Sequence, residues 1–200
     1  MHIRMKFLLL WGRLMSKKIN DDKGKKGERD LMKTIFKMEE AGEDIDIKKP
    51  TYTNEPDDGL DLEMKCGHNI GELMNAIIHD KEKKPVLSQK KIKVRIDAKN
   101  YEGRIGKPVA DKFIADCEKN AQAAEHWLVG GERLTKGAKE VIEDSEHVCR
   151  YYSQEDINKV DNYYQEMLIQ LENHLLFYNH NQLVYYLLIL HIIQNYHIYL

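Results

Sequence analysis

Between Ile92 and Tyr101 the chain alternates strictly, with Val94, Ile96 and Ala98 interleaved among Lys93, Arg95, Asp97 and Lys99. Residues two apart on a strand point the same way, roughly 7 Å from one another. The alternation therefore gives one face to a core and sets a carboxylate and an ammonium, Asp97 and Lys99, side by side on the other. A strand of this kind needs neighbours to pair with and elements to cover its apolar face. That requirement organises the reading of the remaining sequence.

Upstream, Asn20 to Arg29 is rich in Lys, Asp and Gly and reads as a linker that turns into a helix. Leu31, Met32, Ile35 and Phe36 recur with helical spacing until Gly42 stops them. Asp44-Ile45-Asp46-Ile47 and Leu60-Asp61-Leu62-Glu63-Met64 alternate as strands, separated by the turn chemistry of Asn54-Glu55-Pro56-Asp57-Asp58-Gly59. Residues 65–90 read as an insertion with a short helix around Glu72 to Ile78. Downstream, Val109, Phe113, Ile114, Cys117, Ala121 and Ala124 trace a helical face. Trp127-Leu128-Val129 is a short buried strand, and Thr135 caps a last helix carrying Ala138, Val141 and Ile142. Helix, three strands, helix, strand and helix predict an α/β sandwich with a mixed sheet flanked by helices.

The bulk numbers agree with one domain plus appendages. The chain has 200 residues, 42% hydrophobic and 32% charged, with a net charge of −2. That balance excludes a uniformly basic coat for nucleic acid and leaves room for a local basic groove. Three widely spaced cysteines, Cys66, Cys117 and Cys149, argue against a disulfide framework and for a reducing, intracellular compartment, cytoplasmic or nuclear. Residues 1–24 form a cationic extension, read as a disordered segment in preference to an organelle targeting peptide. The domain proper is expected over 25–150. Residues 151–200 form a helical, apolar tail, for which packing on the domain or a partner is preferred to membrane contact.

Chemistry concentrates on the polar side of two strands. If Leu60 and Leu62 turn inward, Asp61 turns out, and pairing of its strand with the 92–101 strand brings Asp61 to Asp97. Two converging carboxylates repel unless a cation lies between them, and hard oxygen donors with room for water suit Mg²⁺, with Mn²⁺ as an alternative. Such an ion polarises a scissile phosphate and lowers the pKa of an attacking water. Lys99 would orient that water or offset developing charge, and the Ala98 carbonyl is a further candidate ligand. Glu28 sits on the inward side of the first helix near its start. Two readings stay open for it: a further member of the metal site, or a complement to the helix dipole.

Asp58-Gly59-Leu60-Asp61-Leu62 followed by Asp97-Ala98-Lys99 resembles the PD-(D/E)xK nuclease superfamily, and within it the type IV restriction endonuclease, Mrr-like family. Lys26-Gly27-Glu28, Lys99-Asn100-Tyr101 and Gly130-Gly131-Glu132-Arg133-Leu134-Thr135-Lys136-Gly137-Ala138 stand in the family's order. The resemblance covers roughly residues 25 to 144. It implies a restriction-endonuclease-like αβββαβ core and Mg²⁺-dependent hydrolysis of DNA. It also implies catalytic roles for Asp61, Asp97, Lys99 and Glu28, with Asp61, Asp97, Ala98 and Glu28 at the metal. The separation of Asp61 from Asp97 is long for the family, which points to strands paired across an inserted helix.

Other features are weaker. Lys90, Lys91, Lys93, Arg95, Arg104, Lys107 and Lys112 read either as a phosphate-tracking patch or as solubilising charge. Cys66-Gly67-His68 lacks the second ligand pair of a zinc site. Cys117 is expected in the core, and His126 as a hydrogen-bonded histidine at the start of a buried strand. DNA is the expected partner, with a homodimer as a second association. A catalytically silent DNA-binding module of the same fold, and a tail-anchored interaction protein, are the competing functions.

Overall fold

The computed structural model describes residues 26–48, 61–100 and 102–174. The elements run α1 (Lys26–Glu40), β1 (Asp46–Lys48), β2 (Leu62–Gly67), α2 (Ile70–Ile78), β3 (Lys91–Lys99), α3 (Lys107–Lys119), β4 (Glu125–Gly130), α4 (Lys136–Glu143) and β5 (Cys149–Tyr152). A further helix, α5, occupies 154–174. The cationic residues 1–24, the turn at 54–59, Leu60 and the apolar end of the chain lie outside the described residues. Among the described residues no helix is long and apolar enough to cross a membrane.

The five strands form one mixed sheet in the order β1-β2-β3-β4-β5. β1 and β2 pair antiparallel, as do β2 and β3, in the register Leu62 to Ile96. β3, β4 and β5 are parallel. Parallel neighbours need a crossover, and α3 and α4 supply the two here. Because the strand order advances steadily, both crossovers fall on one face. That face buries Phe113 and Cys117 of α3, Ala138 and Ile142 of α4, and Leu128 of β4. The opposite face is larger and takes Leu31, Ile35 and Met38 of α1, Leu73 and Met74 of α2, and Ile157, Val160 and Tyr164 of α5 onto Val94, Ile96 and Trp127.

Helices on both faces, together with ion pairs across the sheet, explain three departures from what the sequence predicts. The face of β3 opposite Val94 and Ile96 is covered, and Arg95 and Asp97 are each only 2% exposed. Arg95 therefore leaves the basic patch: its guanidinium lies over the Phe113 ring and donates toward Cys117 Sγ at 3.8 Å. Lys91 and Lys93 leave it too, paired with Asp44 and with Glu63 (2.6 Å) respectively. His126, expected to be hydrogen-bonded, is buried with both ring nitrogens unpartnered, and burial lowers its pKa to about 4, which keeps the ring neutral. An inner parallel strand has no water on either side to satisfy the ring.

Two segments are more central than their sequence suggests. Residues 65–67 complete β2, and the helix after them, α2, is mostly buried. Gly71 of α2 lets the Arg150 guanidinium lie against the helix, since a Cβ there would sit 2.2 Å from Arg150 Cζ. Arg150 in turn grips Glu125 through two hydrogen bonds of 2.8 and 3.2 Å, and Glu125 also accepts the Trp127 indole N–H. The expected boundary at residue 150 falls inside β5, and α5 is then tied down by Lys37 to Asp161 (2.7 Å) and by the Tyr164 hydroxyl donating to Glu43 (2.9 Å).

Candidate active site

The β2–β3 ladder ends at Leu62 and Ile96, and the residue just before it is fixed in an irregular way. The Asp61 N–H donates to the Ile96 carbonyl (3.2 Å), while Asp61 Oδ2 accepts the Ala98 N–H at 2.7 Å. The carboxylate of Asp61 is thus held by the backbone of the strand that carries Asp97. Leu62 and Ile96 share the larger core, so their neighbours Asp61 and Asp97 turn to the α3 side. The two carboxyl groups approach one another there, near enough for the Asp97 carboxylate to raise the Asp61 carboxyl.

Lys99 closes the group. Its Nζ lies 2.5 Å from Asp97 Oδ1, an ion pair that is off hydrogen-bond alignment. Burial and the adjacent Asp97 carboxylate push the Asp61 carboxyl up to about 7, outweighing the Ala98 N–H and the Lys99 ammonium. At neutral pH Asp61 is therefore about half protonated, and a hard divalent cation would compete with that proton for the carboxylate. Mg²⁺ is held in proteins by one or two carboxylates with water completing its shell, and this donor set fits it.

Glu28 is placed nearby without completing a cage. Gly27 packs its α-carbon against the end of β3, where a Cβ would lie 3.5 Å from the Lys99 carbonyl oxygen, so the first turn of α1 sits beside the site. Glu28 itself is half-buried. Among the described residues no group of three or more His, Cys, Asp or Glu is arranged to hold an ion. Cys66 is buried inside β2 and His68 is exposed beyond its end, so they do not form a ligand pair.

The neighbouring strand makes room for the site. Gly130 ends β4 beside Lys99 with φ +117°, and a Cβ there would fall 2.0 Å from the Lys99 carbonyl oxygen. Only glycine allows that approach. A glycine pair directly after a buried strand is the sign in the sequence of a close backbone crossing. The loops after β3 and β4 are then zipped together, with Ile105 N–H donating to the Arg133 carbonyl (2.8 Å) and Thr135 N–H to the Ile105 carbonyl (2.9 Å). They lead into α3 and α4, whose start is capped by Thr135 as expected, its Oγ1 accepting the Ala138 N–H at 3.3 Å. Compared with known proteins, the chain matches no family model, no curated protein and no solved structure.

Proposed function

We propose that the chain is a metal-dependent DNA endonuclease that hydrolyses phosphodiester bonds through a PD-(D/E)xK site. The observation that carries this reading is the convergence of Asp61 and Asp97, pinned through the Ala98 N–H, with Lys99 at 2.5 Å from one carboxylate oxygen. The element order of helix, antiparallel strands, crossover helix and parallel strand supports a restriction-endonuclease-like core. Asp61 and Asp97 would hold Mg²⁺, or Mn²⁺ in its place, with the Ala98 carbonyl and Glu28 as the further candidate donors. Bound there, the ion would polarise a phosphate oxygen and acidify a water.

The chain's own residues do the rest. Lys99, fixed by Asp97, would offset the charge that builds on the phosphate during attack or orient the attacking water. Asp97, buried, keeps that ammonium in place. Arg104 and Arg133 stand exposed on the two zipped loops that leave β3 and β4. Lys107 and Lys136 open α3 and α4, and neither helix has an acidic residue in its first turn. Cations at helix N-termini oppose the helix dipole, so a phosphate backbone lying across both ends would relieve an unfavourable field.

The test is cleavage of supercoiled plasmid DNA by the purified full chain. Nicking is expected with Mg²⁺, to be abolished by chelator and to fall by roughly a hundredfold or more in Asp97→Asn and Lys99→Ala. Salt-dependent binding with no metal-dependent cleavage would instead identify a silent DNA-binding module. Cleavage that survives both substitutions would sink the assignment of the site.

A further inference from the structure

Away from the carboxylates, a row of side chains crosses the sheet beneath α3. Arg95 of β3, His126 of β4 and Cys149 of β5 are register neighbours, and Cys117 comes down on them from α3. Cys149 packs against the smaller core cluster that buries Cys117, and the two thiols lie close enough that the state of one shifts the pKa of the other. Cys149 Sγ also donates to Ser145 Oγ at 3.7 Å, and Arg95 Nη1 approaches Cys117 Sγ at 3.8 Å. Both cysteines are free; Cys117 is fully buried and Cys149 is partly exposed. The nearby rings of His126 and His147 meet edge to face at 5.3 Å, yet the fixed charge of Arg95 favours a thiolate over a metal ion here.

We propose that Cys117 and Cys149 form a built oxidation site, closing an intramolecular disulfide between α3 and β5 on reaction with a low-molecular-weight disulfide. The partly exposed Cys149 thiolate attacks one sulfur of the oxidant, forms a mixed disulfide and expels one thiolate. Cys117 then attacks Cys149 Sγ and expels the second thiolate, which leaves with the Cys117 proton. Two protein thiols are oxidised and one external disulfide is reduced to two thiols. The division of labour follows from placement, since only Cys149 is reachable from solvent and only Cys117 is in contact to resolve it. Interaction with Cys117, opposed by burial and aided by Ser145 and Arg95, lowers the Cys149 thiol to about 7 and raises the Cys117 thiol, a hold released once Cys149 is in the mixed disulfide, whereas burial pushes Cys66 up to about 12.

The full-length chain is incubated with oxidised glutathione near neutral pH and quenched in acid. Free thiols are then blocked and the digest is mapped by mass spectrometry. The expected product is a monomer with Cys117 linked to Cys149 and Cys66 recovered as a free thiol. Cys117→Ser should stop at a glutathione adduct on Cys149, and Cys149→Ser should leave Cys117 reacting roughly tenfold or more slowly. The proposal is overturned if Cys117 and Cys149 both stay free, if links form only between chains, or if the wild-type adduct on Cys149 persists without resolving.

Discussion

Asp61 is held by the backbone of β3 and repelled by a carboxylate from that same strand, and this conflict has a measurable sign. Its carboxyl titrates near 7 in the fold against 3.8 in an unperturbed chain, raised by burial and by Asp97. Between those values the native state binds more protons than the unfolded one, so the contribution of Asp61 to stability falls as pH rises from about 4 to 7. Asp61→Asn removes the charge and keeps the shape. In chelator, denaturant unfolding should show the variant more stable than wild type by on the order of 2 kcal/mol at pH 8, after solvent screening is discounted from about 1.4 kcal/mol per pH unit. The difference should shrink toward zero near pH 4. A difference that does not change with pH would mean that neither burial nor Asp97 raises the Asp61 carboxyl.

The loops at the end of β3 and β4 act as one element because their backbones are hydrogen-bonded, from Ile105 to Arg133 and from Thr135 to Ile105. They carry Arg104 and Arg133 outward together. If these side chains meet phosphates, Arg104→Ala with Arg133→Ala should weaken binding to unrelated DNA duplexes about equally. The slope of log affinity against log salt should flatten by roughly two. Fluorescence anisotropy over a salt series measures this, and an unchanged slope would move the DNA surface elsewhere. The broader basic patch read from sequence does not survive as a unit. Lys93 neutralises Glu63, whose carboxyl is held low by Lys93 and Lys48 although burial opposes it, and Arg95 is sealed under α3. Linear spacing carries no information on which lysines find a carboxylate across the sheet.

At the scale of the whole molecule, most of the element order was legible because period and punctuation agreed. Alternation located β3, the periodicity from Val109 located α3, which ends at Lys119 and leaves Ala121 and Ala124 in the turn that follows, and Thr135 marked the start of α4. Strand β5 was not legible, since Cys149-Arg150-Tyr151-Tyr152 lacks alternation and is defined only by its parallel pairing with β4. The faces of β3 were half legible: Val94 and Ile96 read as core, but the cover over Arg95 and Asp97 comes from crossovers that no local pattern encodes. Of the site, Asp61, Asp97 and Lys99 were visible from parity along two strands. The Ala98 N–H that anchors Asp61, and the glycine that lets β4 pass Lys99, required the register. The central claim is that Asp61 and Asp97 hold one cation between them. Titration of Mn²⁺ into the full chain, followed by loss of the free-ion electron paramagnetic resonance signal, tests it directly. Saturable binding should weaken roughly tenfold or more in Asp61→Asn and in Asp97→Asn and remain unchanged in Glu63→Gln, whereas equal binding by all four proteins would contradict it.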